Sequence, residues 1–143
     1  ASPGSPTPVP TPQLEDGKHF GYIRSVDLST QPATMVFDLA YFLTGEDAVQ
    51  AAKEHGDEYP PPNDYYIVND NPKLRTLPLA PEVKIRLIDW GDCCETFFTA
   101  DPEAFAGAFT TPDPTGQYQG PNSTYWIWVQ GGEIVKIQEQ YLP

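Results

Sequence analysis

Cysteine, histidine and basic side chains are scarce in this 143-residue chain. It carries two cysteines, two histidines and 8 Lys+Arg against 20 Asp+Glu, for a formal net charge of −12. Two cysteines cannot supply a disulfide framework, so a hydrophobic core has to hold the fold. The charge excludes generic binding to nucleic acid or anionic lipid through a basic field. No run approaches the roughly 18 apolar residues of a transmembrane helix. There is no internal repeat and no second linker, so the length suits one domain. The shortage of histidine weakens triad chemistry. His19 precedes the first expected strand, His55 falls at a helix C-terminus, and no Gly-x-Ser-x-Gly elbow exists. Both read as surface histidines.

Proline, by contrast, is abundant, with 17 residues. Residues 1–13 read ASPGSPTPVPTPQ and carry no charge. Proline at every second or third position blocks helix and removes ladder donors, so this stretch is expected to be an extended, semi-rigid spacer. We draw the spacer over 1–16 and a single globular domain over 17–143. Such spacers resemble those that lift exported bacterial lipoproteins and wall-tethered domains off a surface. The expected location is extracellular or the cell envelope, with any lipid anchor upstream of the given chain.

Alternation of apolar and polar residues marks the strands. His19–Leu28 and Thr34–Leu43 form an expected hairpin. Thr44-Gly45-Glu46-Asp47 opens a helix ending near Gly56. Asp64–Val68 is a third strand and Asn69–Pro72 a turn. Lys73–Leu79 and Glu82–Trp90 read as two further strands around Pro78-Leu79-Ala80-Pro81. Asp101-Pro102-Glu103 starts a short helix with Phe105 and Phe109 on one face. Thr124–Gln130 and Glu133–Tyr141 flank Gly131-Gly132, the strongest hairpin signal. The fold expected is mainly β (α+β): a small antiparallel barrel or strongly twisted sheet of about seven strands with two short helices.

The segments GYIRSVD, FLTGEDAVQAA, NDYYIVNDNPKLRTLPL and YWIWVQGGEIVKIQEQYLP together resemble a family of small exported or lipoprotein-type actinobacterial proteins. The resemblance covers most of residues 20–143 and is weakest at 90–120. It implies a location and no chemistry. A looser similarity to OB-like small β-barrels rests on strand count and a mid-chain helix.

Candidate chemistry is thin. Zinc wants four ligands at characteristic spacing, and Cys93 and Cys94 are adjacent with no nearby histidine. Calcium has weak candidates in Asp64, Asn69 and Asp70, without the regular loop of alternating acids. No cofactor is expected. Asp89, Asp92 and Glu95 lie close to Trp90, which could stack on a sugar, but acids are too many for the grouping to be specific. Cys93-Cys94 is the most unusual local feature, with a vicinal disulfide and two unbridged cysteines both open. Lys73, Arg75, Lys84 and Arg86 fall on two strands expected to pair, making a cationic patch for an anionic ligand or an acidic partner. On the last hairpin, alternation sets Trp126 and Trp128 on one face and Tyr125 and Ile127 on the other, so one set could be an exposed binding surface.

The expected function is an exported or envelope-tethered, non-enzymatic binding domain. Its partner would be an unknown protein or a small anionic ligand, not nucleic acid. The alternatives are a carboxylate-dependent hydrolase of unrecognised type and a structural domain of an envelope assembly.

Overall fold

The computed structural model describes residues 14–70 and 73–142. The proline-rich segment 1–13, the turn residues Asn71 and Pro72, and Pro143 lie outside the described residues. Seven strands and two α-helices follow in the order β1 (Gly17–Asp27), β2 (Thr34–Thr44), α1 (Gly45–Glu54), β3 (Tyr65–Val68), β4 (Leu74–Ile88), β5 (Phe97–Thr99), α2 (Pro102–Gly107), β6 (Thr124–Gln130) and β7 (Glu133–Gln140). The mainly-β expectation holds, but the sheet is mixed. β4 pairs with β7 in parallel, so a purely antiparallel arrangement is corrected.

The strand order is β3-β2-β1-β6-β7-β4-β5, and β2 also pairs with β4. Five strands therefore close a ring: β1, β2, β4, β7 and β6. β4 makes this closure possible. Its first half, Leu74 to Pro78, is antiparallel to Asp38–Thr34 of β2. Its second half, Lys84 to Arg86, runs parallel to Lys136–Gln138 of β7. Sequence reading breaks this strand in two at its prolines. The structure instead places Pro78 at the last β2 rung and Pro81 in the irregular stretch between partners, where a missing N–H costs no ladder bond.

Alternation fills the ring. Ile23, Phe37, Leu77, Ile85, Tyr125, Ile127 and Ile137 are each at most 2% exposed and form one cluster, joined by Leu14. Burying each contributes about 1.5–3 kcal/mol. Gly21 permits the close packing: a Cβ there would run into the Asp38 carbonyl and the Phe37 ring. The β6–β7 turn uses Gly131 and Gly132 at φ 62° and 81°, as a two-residue hairpin with the strands' own twist requires.

The exterior of the ring differs around its circumference. Over β2 it is covered by α1, through buried Ala48, Ala51 and Ala52, and by β3. There Phe20 and Phe42 stack at 5.2 Å, Phe42 meets Tyr65 at 5.3 Å, and Asp38 is 4% exposed. The Asp38 carboxylate accepts from Arg24 at 2.8 Å and from the Asn69 amide at 3.2 Å. Beside the second half of β4 runs β5, paired with Arg86–Ile88, and on the exterior of β6, β7 and β4 stand half-buried Trp128 and Lys136 and exposed Lys84.

Candidate functional site

The hairpin expected to unite Lys73, Arg75, Lys84 and Arg86 does not exist, because both pairs lie on or beside one strand. Arg75 stands opposite Phe37 of β2, half-buried, and Lys73 is exposed just before β4. Lys84 and Arg86 stand at the other end of the 15-residue strand, opposite Lys136 and Gln138. The four-residue patch is therefore divided.

A different constellation replaces it on this exterior. Register places Lys18 opposite Trp128, Trp128 opposite Lys136, and Lys136 opposite Lys84, so one row crosses β1, β6, β7 and β4. The next row holds Phe20, Trp126, Gln138 and Arg86. These side chains point outward because Ile127, Ile137 and Ile85, of opposite parity, fill the core.

The ammonium groups settle on the indoles. Lys18 Nζ lies 4.2 Å from the Trp126 ring and 5.3 Å from that of Trp128, and Lys136 Nζ lies 4.6 Å from Trp128. The Arg86 guanidinium covers Phe97 at 5.0 Å. Each contact is worth about 0.5–1 kcal/mol at an exposed site. Among the described residues the ion pairs join Arg24 to Asp38 and His55 to Asp70, and none involves Lys18, Lys84, Arg86 or Lys136. Half of the chain's 8 basic residues thus share one face that holds no paired acid. Lys84, Lys136 and Lys18 occupy a single row, where like charges repel and an anion is favoured.

Trp90 belongs elsewhere. It opens a single 3-10 turn, Trp90–Asp92, at one end of the ring. Its indole donates to Glu139 Oε2 at 3.2 Å, and the Ile88 amide donates to Oε1 at 2.9 Å. Glu139 is 2% exposed, and burial pushes its carboxyl above the ordinary value against the pull of donors on Ser123, Ile88 and Trp90. Gln117 ties the turn down, accepting from the Trp90 amide and donating to Asp89, both at 3.1 Å. A cavity of about 190 Å³ beside Trp90 is lined by Ser123, Thr124 and Gln140 but by none of the basic residues or cysteines named from the sequence.

The acids near Trp90 serve local structure. Asp89 accepts from the Gly91 amide and Asp92 from the Thr96 hydroxyl, both at 3.1 Å. Cys93 and Cys94 are joined in a vicinal disulfide across a cis peptide bond. They sit between the Trp90 turn and β5, apart from the cationic rows.

The calcium candidates do not gather. Asn69 donates to Asp38, and Asp70 accepts from His55 Nε2 at 2.8 Å. Asp64 lies beside Asn63 with both at positive φ, 60° and 61°, in the turn before β3. Among the described residues no group of three or more His, Cys, Asp or Glu is placed to hold a metal ion. His55 also faces the Ala51 carbonyl through Nδ1, so acceptors at both nitrogens favour the imidazolium and raise its pKa.

Sequence reasoning missed Lys18, Lys136 and Glu139. Parity carried a signal for each. Lys18 shares the phase of Phe20, Lys136 that of Gln138, and Glu139 that of the core residue Ile137. Which strands adjoin was not legible, and adjacency makes the rows. Neither a family model, nor a curated protein, nor a solved structure matches the chain.

Proposed function

We propose that this chain is a non-enzymatic binding domain, exported or tethered to the cell envelope, that takes an anionic ligand on the outer face of β1, β6, β7 and β4. The observation that carries the reading is the row Lys18, Trp128, Lys136, Lys84, three cations and an indole with no paired carboxylate. Lys84 and Lys136 stand opposite each other as a like-charge pair that no carboxylate among the described residues bridges, an arrangement that a bound anion relieves. The proline-rich segment and the resemblance to exported proteins support the location. The closed order β1-β2-β4-β7-β6, its one parallel pair, and α2 lying between β4 and β6 support an OB-like small barrel as the scaffold.

The test is a titration of the full chain with inorganic phosphate and pyrophosphate at low salt, followed by tryptophan fluorescence. Trp126 and Trp128 report directly. The expected result is saturable quenching that weakens as salt rises and is lost in the K84E/K136E variant. Quenching that survives both charge reversals overturns the reading.

The buried Glu139 carboxyl, whose pKa is raised beside Trp90, favours one second reading, a carboxylate-dependent hydrolase working from the Trp90 end. It needs a second carboxylate, and Asp89 already caps its own turn while Asp92 accepts from the Thr96 hydroxyl. Hydrolysis of a glycan panel that disappears in Glu139→Gln would replace the binding reading with this one.

A further inference from the structure

The same face also constrains the kind of anion, an inference that rests on the anion-binding reading above. Adjacent strands lie about 4.8 Å apart, so Lys18 and Lys136 are separated by about 10 Å across Trp128, and Lys84 follows about 5 Å further on. Trp126 and Trp128, two residues apart on β6, stand about 7 Å from each other along the strand. The cations therefore form a spaced series running across the strands, with flat aromatic surface between them. A compact anion would engage one or two of the amines and disturb the indoles beneath them without stacking on either ring.

The indoles are accessible in a particular sense. Trp126 and Trp128 are half-buried: Trp126 leans on Phe20 at 4.9 Å and on Phe42 at 6.1 Å and carries the tip of Lys18, while Trp128 lies beneath the tips of Lys136 and Lys18. These are flexible, strongly hydrated amines on four-carbon stems. A ligand carrying carboxylates draws the ammonium groups sideways into charge pairs and frees the ring faces for stacking. Such a ligand needs negative charge at intervals, a flat apolar surface, and hydroxyls to meet Gln138, which separates Trp126 from Arg86 in the second row.

The distance between charge and ring selects among extended anions. Lys18 Nζ and Lys136 Nζ lie 4.2 Å and 4.6 Å from the indoles they cover, and Glu82, outward on β4 two residues before Lys84, limits the positive charge at that edge. A nucleic acid strand bears a phosphate on every residue and relies on a continuous positive groove. In that strand the phosphate is set apart from the stacking base by the ribose. A uronate chain also bears one charge on every residue, but its carboxylate is attached directly to the pyranose ring, so one sugar can lay its apolar face on an indole and its carboxylate on the lysine that sits over that indole.

We propose that the outer face built by Lys18, Trp126, Trp128, Lys136, Lys84 and Arg86 binds a linear uronate-bearing polysaccharide, with the sugar rings stacked on the two indoles and the carboxylates held by the lysine row.

The experiment titrates the full chain with polygalacturonate, neutral dextran, oligothymidylate and inorganic phosphate at fixed low ionic strength, by calorimetry and tryptophan fluorescence. The expected result is quenching by polygalacturonate, no binding of dextran, and weaker binding of phosphate and oligothymidylate. Trp128→Ala and K18E/K136E should each weaken polygalacturonate binding at least tenfold, while Lys53→Glu on α1 leaves it unchanged. Circular dichroism confirms that each variant is folded, and the lysine pair keeps the test decisive if Trp128→Ala is not. Equal or tighter binding of oligothymidylate, or of dextran, overturns the proposal. Phosphate binding as tight as that of polygalacturonate overturns the polysaccharide and leaves the anion site standing. Absence of binding by every anion overturns both.

Discussion

The exterior of the ring is built in two ways. Over β2 it is a second core: α1 and β3 pack on β2, Phe42 meets Tyr65 and Phe20, and the buried carboxylate there, Asp38, is supplied with an arginine and an amide. Over β6, β7 and the second half of β4 the same alternation sets Trp128, Lys136 and Lys84 outward, and Lys18 of β1 reaches across the indoles. Both faces are rich in aromatic rings. In the first, rings meet rings and exclude water. Trp126 joins the two, leaning on Phe20 and Phe42 with Lys18 over it, while the Trp128 ring meets ammonium groups that a solute can displace. An outward-facing aromatic on a strand is therefore uninformative by itself, because the element packed over it decides whether it stabilises or binds.

The largest expected effect tests that division. Phe20 is 2% exposed between Ala40 and Trp126. Phe20→Ala should cost about 3–5 kcal/mol in urea denaturation, as for a buried phenylalanine. Trp128→Ala, on the other side, should cost about 1 kcal/mol, because half-buried surface is lost and no sealed cavity forms. Equal losses would mean that the second face is also a core.

An intermediate effect concerns the Trp90 end, which belongs to neither exterior. Burial raises the Glu139 carboxyl, so the folded chain holds this proton more tightly than the unfolded one. Its contribution is complete in acid, where both states are protonated. It declines as pH rises from the ordinary glutamate range through the folded value. Glu139→Gln should remove this decline, and denaturation midpoints of the two proteins between pH 4 and 7 should diverge accordingly. A wild type that gains stability relative to the variant over that range would contradict the assignment.

The smallest effect is the most diagnostic for the lysine row. Lys136 gains about 0.5–1 kcal/mol over Trp128. It loses a comparable amount by standing opposite Lys84. Lys136→Gln should therefore shift stability by less than about 0.5 kcal/mol while weakening anion binding. A loss above about 1.5 kcal/mol would make the lysine a structural element instead.

Much of the scaffold was legible in the residues. Met35, Phe37 and Leu39 fix the parity of β2, and Gly131-Gly132 fixes a hairpin, because alternation and positive φ are local properties. Asp101 does cap its helix, accepting from the Ala104 amide at 3.1 Å. β5 was missed because three residues carry no periodicity. The site was less legible because it is a property of register. Lys18 and Lys84 are 66 positions apart, and only the order β1-β6-β7-β4 makes them members of one row. The continuity of β4 was hidden by its prolines, and that error misdirected the cationic patch: Lys73 and Arg75 were joined to Lys84 and Arg86 instead of Lys136 and Lys18.

The change of partner along β4 has a further consequence for how the chain reaches this state. Its early half can zip onto β2 through a modest loop, but its later half waits for β7, roughly 50 positions onward, and β7 is the last of the seven strands. Ile134 and Ile137, both fully buried, arrive only with that strand. The interior cannot be completed from a partial chain, and the rate at which it closes is governed by a long-range search. Ligand recognition inherits the delay, since Trp128 and Lys136 come into line on the same hairpin that seals the core.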